Sequence, residues 1–141
     1  YEYDPNDVAK ANEIAQLADQ GEYQKSEFED IDSIVQGIIG FKGTVKVAFG
    51  ELVDVTTENA DELAAQIDAA IDNNYYLHES NFVAAELLYD DAAYEQAASS
   101  VSAAKRNQFM AHLAKIPTAL HQPLLASYAK AVEKQINVAE K

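Results

Sequence analysis

With no cysteine in the chain, three histidines and twenty-four carboxylates are the side chains that could ligate a metal or move a proton. Glu86 and Asp90 stand four apart, one helical turn, with Asp91 beside them. That spacing would suit a carboxylate metal pair. No Glu-x-x-His accompanies them, so the di-iron pattern of helical bundles is missing. His78 is followed by Glu79 in a stretch that reads as a loop. The plainer reading is a solvated acidic face, and no metal is expected. A serine nucleophile would need a strained elbow or a partnered histidine. Ser99, Ser100 and Ser102 lie at the start of an alanine-rich helix, and no Gly-x-Ser-x-Gly occurs. His112 and His121 are nine apart across Pro117. His112 neighbours Phe109 and Leu113, where a half-buried histidine is more often hydrogen-bonded than catalytic. No phosphate-binding glycine loop and no zinc spacing occurs. The expectation is a protein that is not an enzyme and needs no cofactor.

The elements that must carry these residues read as helices. Phe28, Ile31, Val35, Ile38, Phe41, Val45, Phe49 and Leu52 recur by threes and fours, the stripe of one long amphipathic helix. Glu27, Glu29, Asp30 and Asp32 near its start suit the helix dipole, and Ser26 is a reasonable N-cap. Gly37, Gly40 and Gly43 interrupt it three apart, each costing a helix interior about 1 kcal/mol against alanine. Two readings stand. Either the helix runs through and the glycines form a bare patch for a close neighbour, or it breaks near Gly40–Gly43. The long helix is favoured, because the apolar period continues unbroken through the glycines.

Residues 1–25 read as an N-terminal arm or short helix, ended by Gly21 and poor in large apolar side chains. It should pack loosely or lie at the edge. After the stripe, Asp54-Val55-Thr56-Thr57 reads as a break. Thr57 or Asn59 then caps a helix with Leu63, Ile67 and Ile71 on one face. Asn73-Asn74 marks a turn. Ser80 caps a helix carrying Phe82, Val83, Leu87, Leu88 and Tyr94. Ser99-Ser100 interrupts the pattern, which resumes through Phe109, Leu113 and Ile116. Pro117 stops it, and Pro123 fits the first turn of a last helix through Ile136. No alternating strand pattern or hairpin turn appears. The fold class expected is all-α, a five- or six-helix up-and-down bundle spanning residues 26–141.

The formal charge is −14, unevenly placed. Residues 1–104 carry 22 acids against 4 bases, and residues 105–141 carry 2 acids against 6 bases. Such an acidic body repels phosphate backbones and anionic membranes, so no nucleic acid is expected. No apolar run reaches the roughly 18 residues of a membrane span, so no transmembrane segment is expected. The basic last quarter could dock on the acidic remainder, within one chain or between chains.

Apolar chemistry remains. Large residues such as Phe28, Phe41, Phe49, Phe82 and Phe109 alternate with glycines and many alanines. Either the small residues let helices pack closely, or large side chains facing small ones leave a cavity for an apolar ligand.

The stretch from Leu63 to Ile136 carries further pattern. It holds Leu63, Ile67, Ala70 and Ile71 on one helix, then Ser80, then Lys105 and Phe109, then a closing helix from Leu120. Together with Asp30-Ile31-Asp32-Ser33-Ile34, this order resembles the fungal hydrophobic surface-binding, or cell wall galactomannoprotein, family over residues 26–138. The resemblance implies a secreted or cell-wall helical bundle without catalytic residues, holding long-chain fatty acids or similar apolar ligands between helices. The opening Tyr1 would fit either a processed mature form, as after removal of a signal peptide, or a trimmed piece of a longer chain. One wall of the expected cavity is Ile31, Val35, Ile38, Phe41, Val45 and Phe49. Leu63, Ile67, Phe82, Leu87, Phe109, Leu113, Leu124 and Tyr128 supply the others. A carboxylate head is expected near Lys105, Arg106 or a tyrosine hydroxyl. Gly40→Leu should then fill the cavity with little loss of fold. The alternative is an acidic interaction module of the inhibitor or immunity type, binding a basic partner protein.

Overall fold

The computed structural model describes residues 1–53, 56 and 59–139. The helices in chain order are α1 (Asp7–Gln20), α2 (Glu29–Ile39), α3 (Ala60–Asn74) and α4 (Glu79–Leu88). α5 (Ala92–Ala98), α6 (Ala103–Leu113), a 3-10 turn (Thr118–Leu120) and α7 (His121–Ala139) follow. Among the described residues there are seven α-helices and no strand, so the chain is all-α. The count exceeds five or six because the expected fourth helix is two. Leu88 ends α4, and the Asp91 side chain caps α5 by accepting from the Ala93 amide at 2.8 Å. That local cap competes with continuing the helix. The chain divides into two units, Tyr1–Val45 with Leu77–Lys141, and Lys46–Tyr76. Residues 1–25 and 26–45 lie in the same unit.

In the larger unit α4 lies along α7, with α5 and α6 against α4 and α1 against α7. Val83 and Ala84 of α4, Phe109 and Leu113 of α6, and Leu124, Leu125 and Tyr128 of α7 form one buried cluster. A second cluster joins Ala85 to Ala129 and Val132, with Phe82, Leu88 and Tyr94 packed on it. Small residues along α4 let its backbone approach α7, since interhelix distance follows side-chain size. Burying each of Phe109, Leu124, Val83 and Val132 contributes about 1.5–3 kcal/mol. Pro123 sits in the first turn of α7, as expected.

The smaller unit centres on α3, capped by the Asn59 side chain, which accepts from the Asp61 and Glu62 amides. The Lys46 ammonium stands 3.5 Å from the centre of the Tyr76 ring. Asp54, Val55 and Thr57, where a break and an alternative cap were expected, lie outside the described residues.

The N-terminal segment does not behave as a loose arm. Tyr3 is 1% exposed, and Glu2, Asp7 and Ala11 are also buried. Tyr3 packs its ring against Phe41, Phe109, His112 and Tyr128. α1 itself is thinly packed, with Val8, Ile14 and Leu17 exposed. Gly21 closes it in a left-handed conformation, φ +76°, with its amide donating to the Leu17 carbonyl at 3.0 Å.

The long central helix does not form. α2 stops at Ile39, and Gly40 is extended. Residues 41–53 are not helical. The reason is a competing partner for the backbone. The Glu2 amide donates to the Lys42 and Thr44 carbonyls at 3.0 and 2.8 Å, and the Tyr3 amide donates to Lys42 at 3.0 Å. The glycines mark where residues 2–6 run beside this segment. A Cβ on Gly40 would lie 2.6 Å from the Pro5 Cβ and from the Gln36 carbonyl. A Cβ on Gly43 would lie 2.8 Å from a Tyr3 ring carbon, and Gly43 has φ +63°. The bare patch is real, and its close neighbour is the N-terminal segment of the same chain.

Gly40→Leu is thus expected to disturb the fold, contrary to the sequence expectation. Gly43→Ala should cost about 1–3 kcal/mol, combining left-handed strain with contact on Tyr3. Gly50→Ala is the control, because its Cβ meets only Asn74 Nδ2 at an ordinary 3.5 Å. Its change should stay within about 0.5 kcal/mol in urea denaturation. Equal losses at Gly43 and Gly50 would refute the close approach.

Candidate functional site

Two features of the larger unit stand out from its packing. One is a buried polar layer, and the other is an apolar helix side that nothing in this unit covers.

The polar layer is built by the N-terminal segment. Asp7 opens α1 with its carboxylate buried. Its Oδ2 accepts from the Tyr128 hydroxyl at 2.8 Å and lies 2.7 Å from His112 Nε2. Its Oδ1 accepts from the Val8 amide at 2.7 Å. Tyr128 Oη in turn accepts from the Asp4 amide at 3.1 Å. Glu2 accepts from Lys105 Nζ at 2.9 and 2.8 Å and from the Thr44 amide at 3.1 Å. Its carbonyl accepts from Ser80 Oγ at 3.0 Å. Both buried carboxylates are thereby satisfied, as their burial requires, whereas the buried Tyr3 hydroxyl has no hydrogen-bond partner among the described residues. The contacts tie the start of α1 to α6 and α7, and residue 2 to α4, α6 and the segment after α2. Among the described residues, His112 is bonded to Asp7 and to no serine or lysine. Among the described residues, no group of three or more histidines, aspartates and glutamates could hold a metal ion. The layer is a clamp.

The clamp fixes how α2 is displayed. The Asn6 side chain donates to the Ser33 carbonyl at 3.2 Å, and Gly37 and Gly40 face Asn6 and Pro5. These polar and small positions occupy one side of α2. Ile31, Ile34, Val35, Ile38 and Ile39 occupy the opposite arc, at 100° per residue. All five are exposed, between 43 and 72%. No α2 residue is buried. Phe28, Phe41 and Val45 extend the apolar surface at the two ends and are exposed as well. An amphipathic helix normally turns this side inward. Here the polar side holds the protein and the apolar side faces out. Lys42 Nζ finishes the helix, donating to the Ile38 and Gly40 carbonyls at 3.1 and 3.0 Å.

The residues expected to line one cavity are therefore separated by their surroundings. Ile31, Val35, Ile38, Phe41 and Val45 are displayed by the larger unit. Phe109, Leu113, Leu124 and Tyr128 are brought together, buried in its core, and half-buried Phe82 packs on the second cluster. Leu87 is exposed on α4. Phe49, Leu63 and Ile67 belong to the smaller unit, where Phe49 and Ile67 are exposed and Leu63 is half-buried. The head-group candidates Lys105 and Arg106 have ion-pair partners in Glu2 and Glu86. Glu86 and Asp90 do not share a helix, since α4 ends between them. His78 is buried at the start of α4, where its amide donates to Asn81 Oδ1 at 2.8 Å. Glu2, Tyr3 and Asp7 went unnoticed in the sequence. The triple-glycine spacing was the only signal of a close neighbour, and it does not say which segment that is.

No family model matches this chain, and no match was found among curated proteins or among solved structures. No helix of the described residues is long and apolar enough to cross a membrane.

The clamp should show in titration. Burial pushes the Glu2 carboxyl upward, but the bonds from Lys105 and Thr44 outweigh it and hold the group below its ordinary 4.5. Its stabilisation is present above that ordinary value and is lost as pH falls through the lowered one. Glu2→Gln should cost about 2–4 kcal/mol at pH 7, since Lys105 keeps some contact with water, and the loss should shrink at pH 3. Burial, followed by the charge of Glu2, pushes the Tyr3 hydroxyl up to about 12. Burial and then Asp7 push Tyr128 upward too. In a spectrophotometric titration, the Tyr3 and Tyr128 hydroxyls should ionise well above the ordinary tyrosine value of 10. Stability should fall as pH rises above 10, because unfolded tyrosines lose their protons there first. All eight tyrosines titrating together in the folded protein would contradict the buried placement.

Proposed function

We propose that this chain is a non-catalytic binding protein for apolar partners, a long acyl chain or an uncharged apolar surface. The outward apolar side of α2 is its receptor. The single observation carrying this is that five branched aliphatic side chains of one helix are exposed together. The largest apolar patch on a monomer spans roughly 300–600 Å², and patches of that kind commonly mark interaction sites. Covering them returns about 0.8 kcal/mol per buried methylene. The side chains expected to line a tunnel thus act as an open platform. Lys42, at the end of this side, is placed to meet a carboxylate head. The acidic body disfavours adsorption to anionic membranes. Secretion and a cell-wall location belong to the same proposal and rest on the family resemblance alone.

The acidic interaction module has one observation in its favour. Glu29, Asp30 and Asp32 occupy the first turn of this same helix. Binding dominated by them would weaken steeply with salt, whereas burial of an acyl chain hardly responds.

Native mass spectrometry with added palmitate tests the proposal. An adduct of palmitate mass is expected. The double variant Ile34→Glu, Ile38→Glu should keep its helical circular dichroism and bind at least about tenfold more weakly, having lost a few kcal/mol of apolar contact. The absence of both a palmitate adduct and retention on an apolar resin would overturn the reading.

A further inference from the structure

The apolar side of α2 has a pattern more specific than exposure. Ile31, Val35 and Ile38 follow the 4-3 spacing of a coiled-coil seam, Phe28 stands just before the helix, and Lys42 lies beyond its end with its ammonium folded back on the last turn. Ile34 and Ile39 flank that seam. An acyl chain does not need a seam, but a second helix does, because its side chains seat as knobs between these rows.

The charges select which helix. Acids cluster at the start of α2, in Glu29, Asp30 and Asp32, and the Lys42 ammonium stands at its end. Asp30 already pairs with Lys25 at 2.8 Å, while Asp32 forms no ion pair among the described residues. Lys42 uses two of its three donors on carbonyls and keeps one. Two such helices laid antiparallel, about a two-fold axis near Val35 and Ile38, would place Asp32 of each beside Lys42 of the other. The helix dipoles would also oppose favourably. A surface that satisfies itself when turned by a two-fold axis has the form of an isologous interface.

We infer that in the absence of an apolar ligand a second copy of this chain covers α2, through an antiparallel pairing of the two helices. The inference rests on the reading that this side seats apolar partners. It adds that self-association masks the side until a ligand competes for it. Apolar contact drives the pairing against the mutual repulsion of two chains of formal charge −14. Added salt should therefore strengthen the dimer, by screening repulsion that the two Asp32–Lys42 pairs only partly offset.

Sedimentation equilibrium over a range of concentrations tests this. The chain is expected to be dimeric at micromolar to millimolar concentration. Ile38→Asp, at a position 72% exposed, should raise the dissociation constant at least tenfold with circular dichroism unchanged. The chain has no cysteine, so Ile38→Cys supplies a single thiol beside the axis. It should oxidise to a covalent dimer, while Asp19→Cys on exposed α1 should not. Asp32→Lys should weaken the dimer, and Asp32→Lys with Lys42→Asp should restore it. Palmitate should shift the wild type toward monomer. A monomer at every concentration overturns the inference, and so does a dimer indifferent to Ile38→Asp. If palmitate still binds in either case, the apolar-platform reading survives. If the dimer forms and palmitate does not bind, that reading falls and the pairing stands.

Discussion

The close approach of residues 2–6 to the end of α2 is the contact on which the larger unit depends. Two amides of the N-terminal segment reach the carbonyls of Lys42 and Thr44, and this is possible only where the facing positions have no side chain. Gly40 and Gly43 provide that gap. Once the segment is in place, Tyr3 fills the space among Phe41, Phe109 and Tyr128, and Glu2 and Asp7 come within bonding distance of Lys105, His112 and Tyr128. Few of these contacts could form alone, since a buried carboxylate without its partners is heavily penalised.

The same contact decides the orientation of α2. Its polar and small side is engaged by Asn6 and Pro5, so its apolar side has no place in the core. The core instead closes with alanine, valine and leucine from α4 and α7 and the phenylalanine of α6. Stability is thus supplied by the helices from residue 77 onward and by the first seven residues. The apolar stripe of α2 stays outside the packed part.

Much of the local structure was legible in the chain. Gly21 ends α1, Asn59 caps α3, and Pro123 starts α7, each for a reason contained within a few residues. The Asp91 cap of α5 was equally local, but the acids around it read as a solvated face or a metal pair. The amphipathic stripe of Ile31, Val35 and Ile38 was also correctly seen as apolar and helical. Its continuation past Gly40 was not, because periodicity reports the order of side chains and carries no information about which carbonyls a distant segment will claim.

By itself the sequence determined the helical class, the acidic charge and the apolar stripe, and it left open whether the glycines mark a break or a close approach. These follow from side-chain period, composition and the conformational range of glycine, all of which act over a few residues. Only the tertiary structure decided what lies close to the glycines, where the long stripe stops, and which side of α2 faces out. Those outcomes depend on pairing residues about forty to one hundred and twenty apart, Glu2 with Thr44 and Asp7 with Tyr128. Such pairings exist only when the whole chain has closed around them.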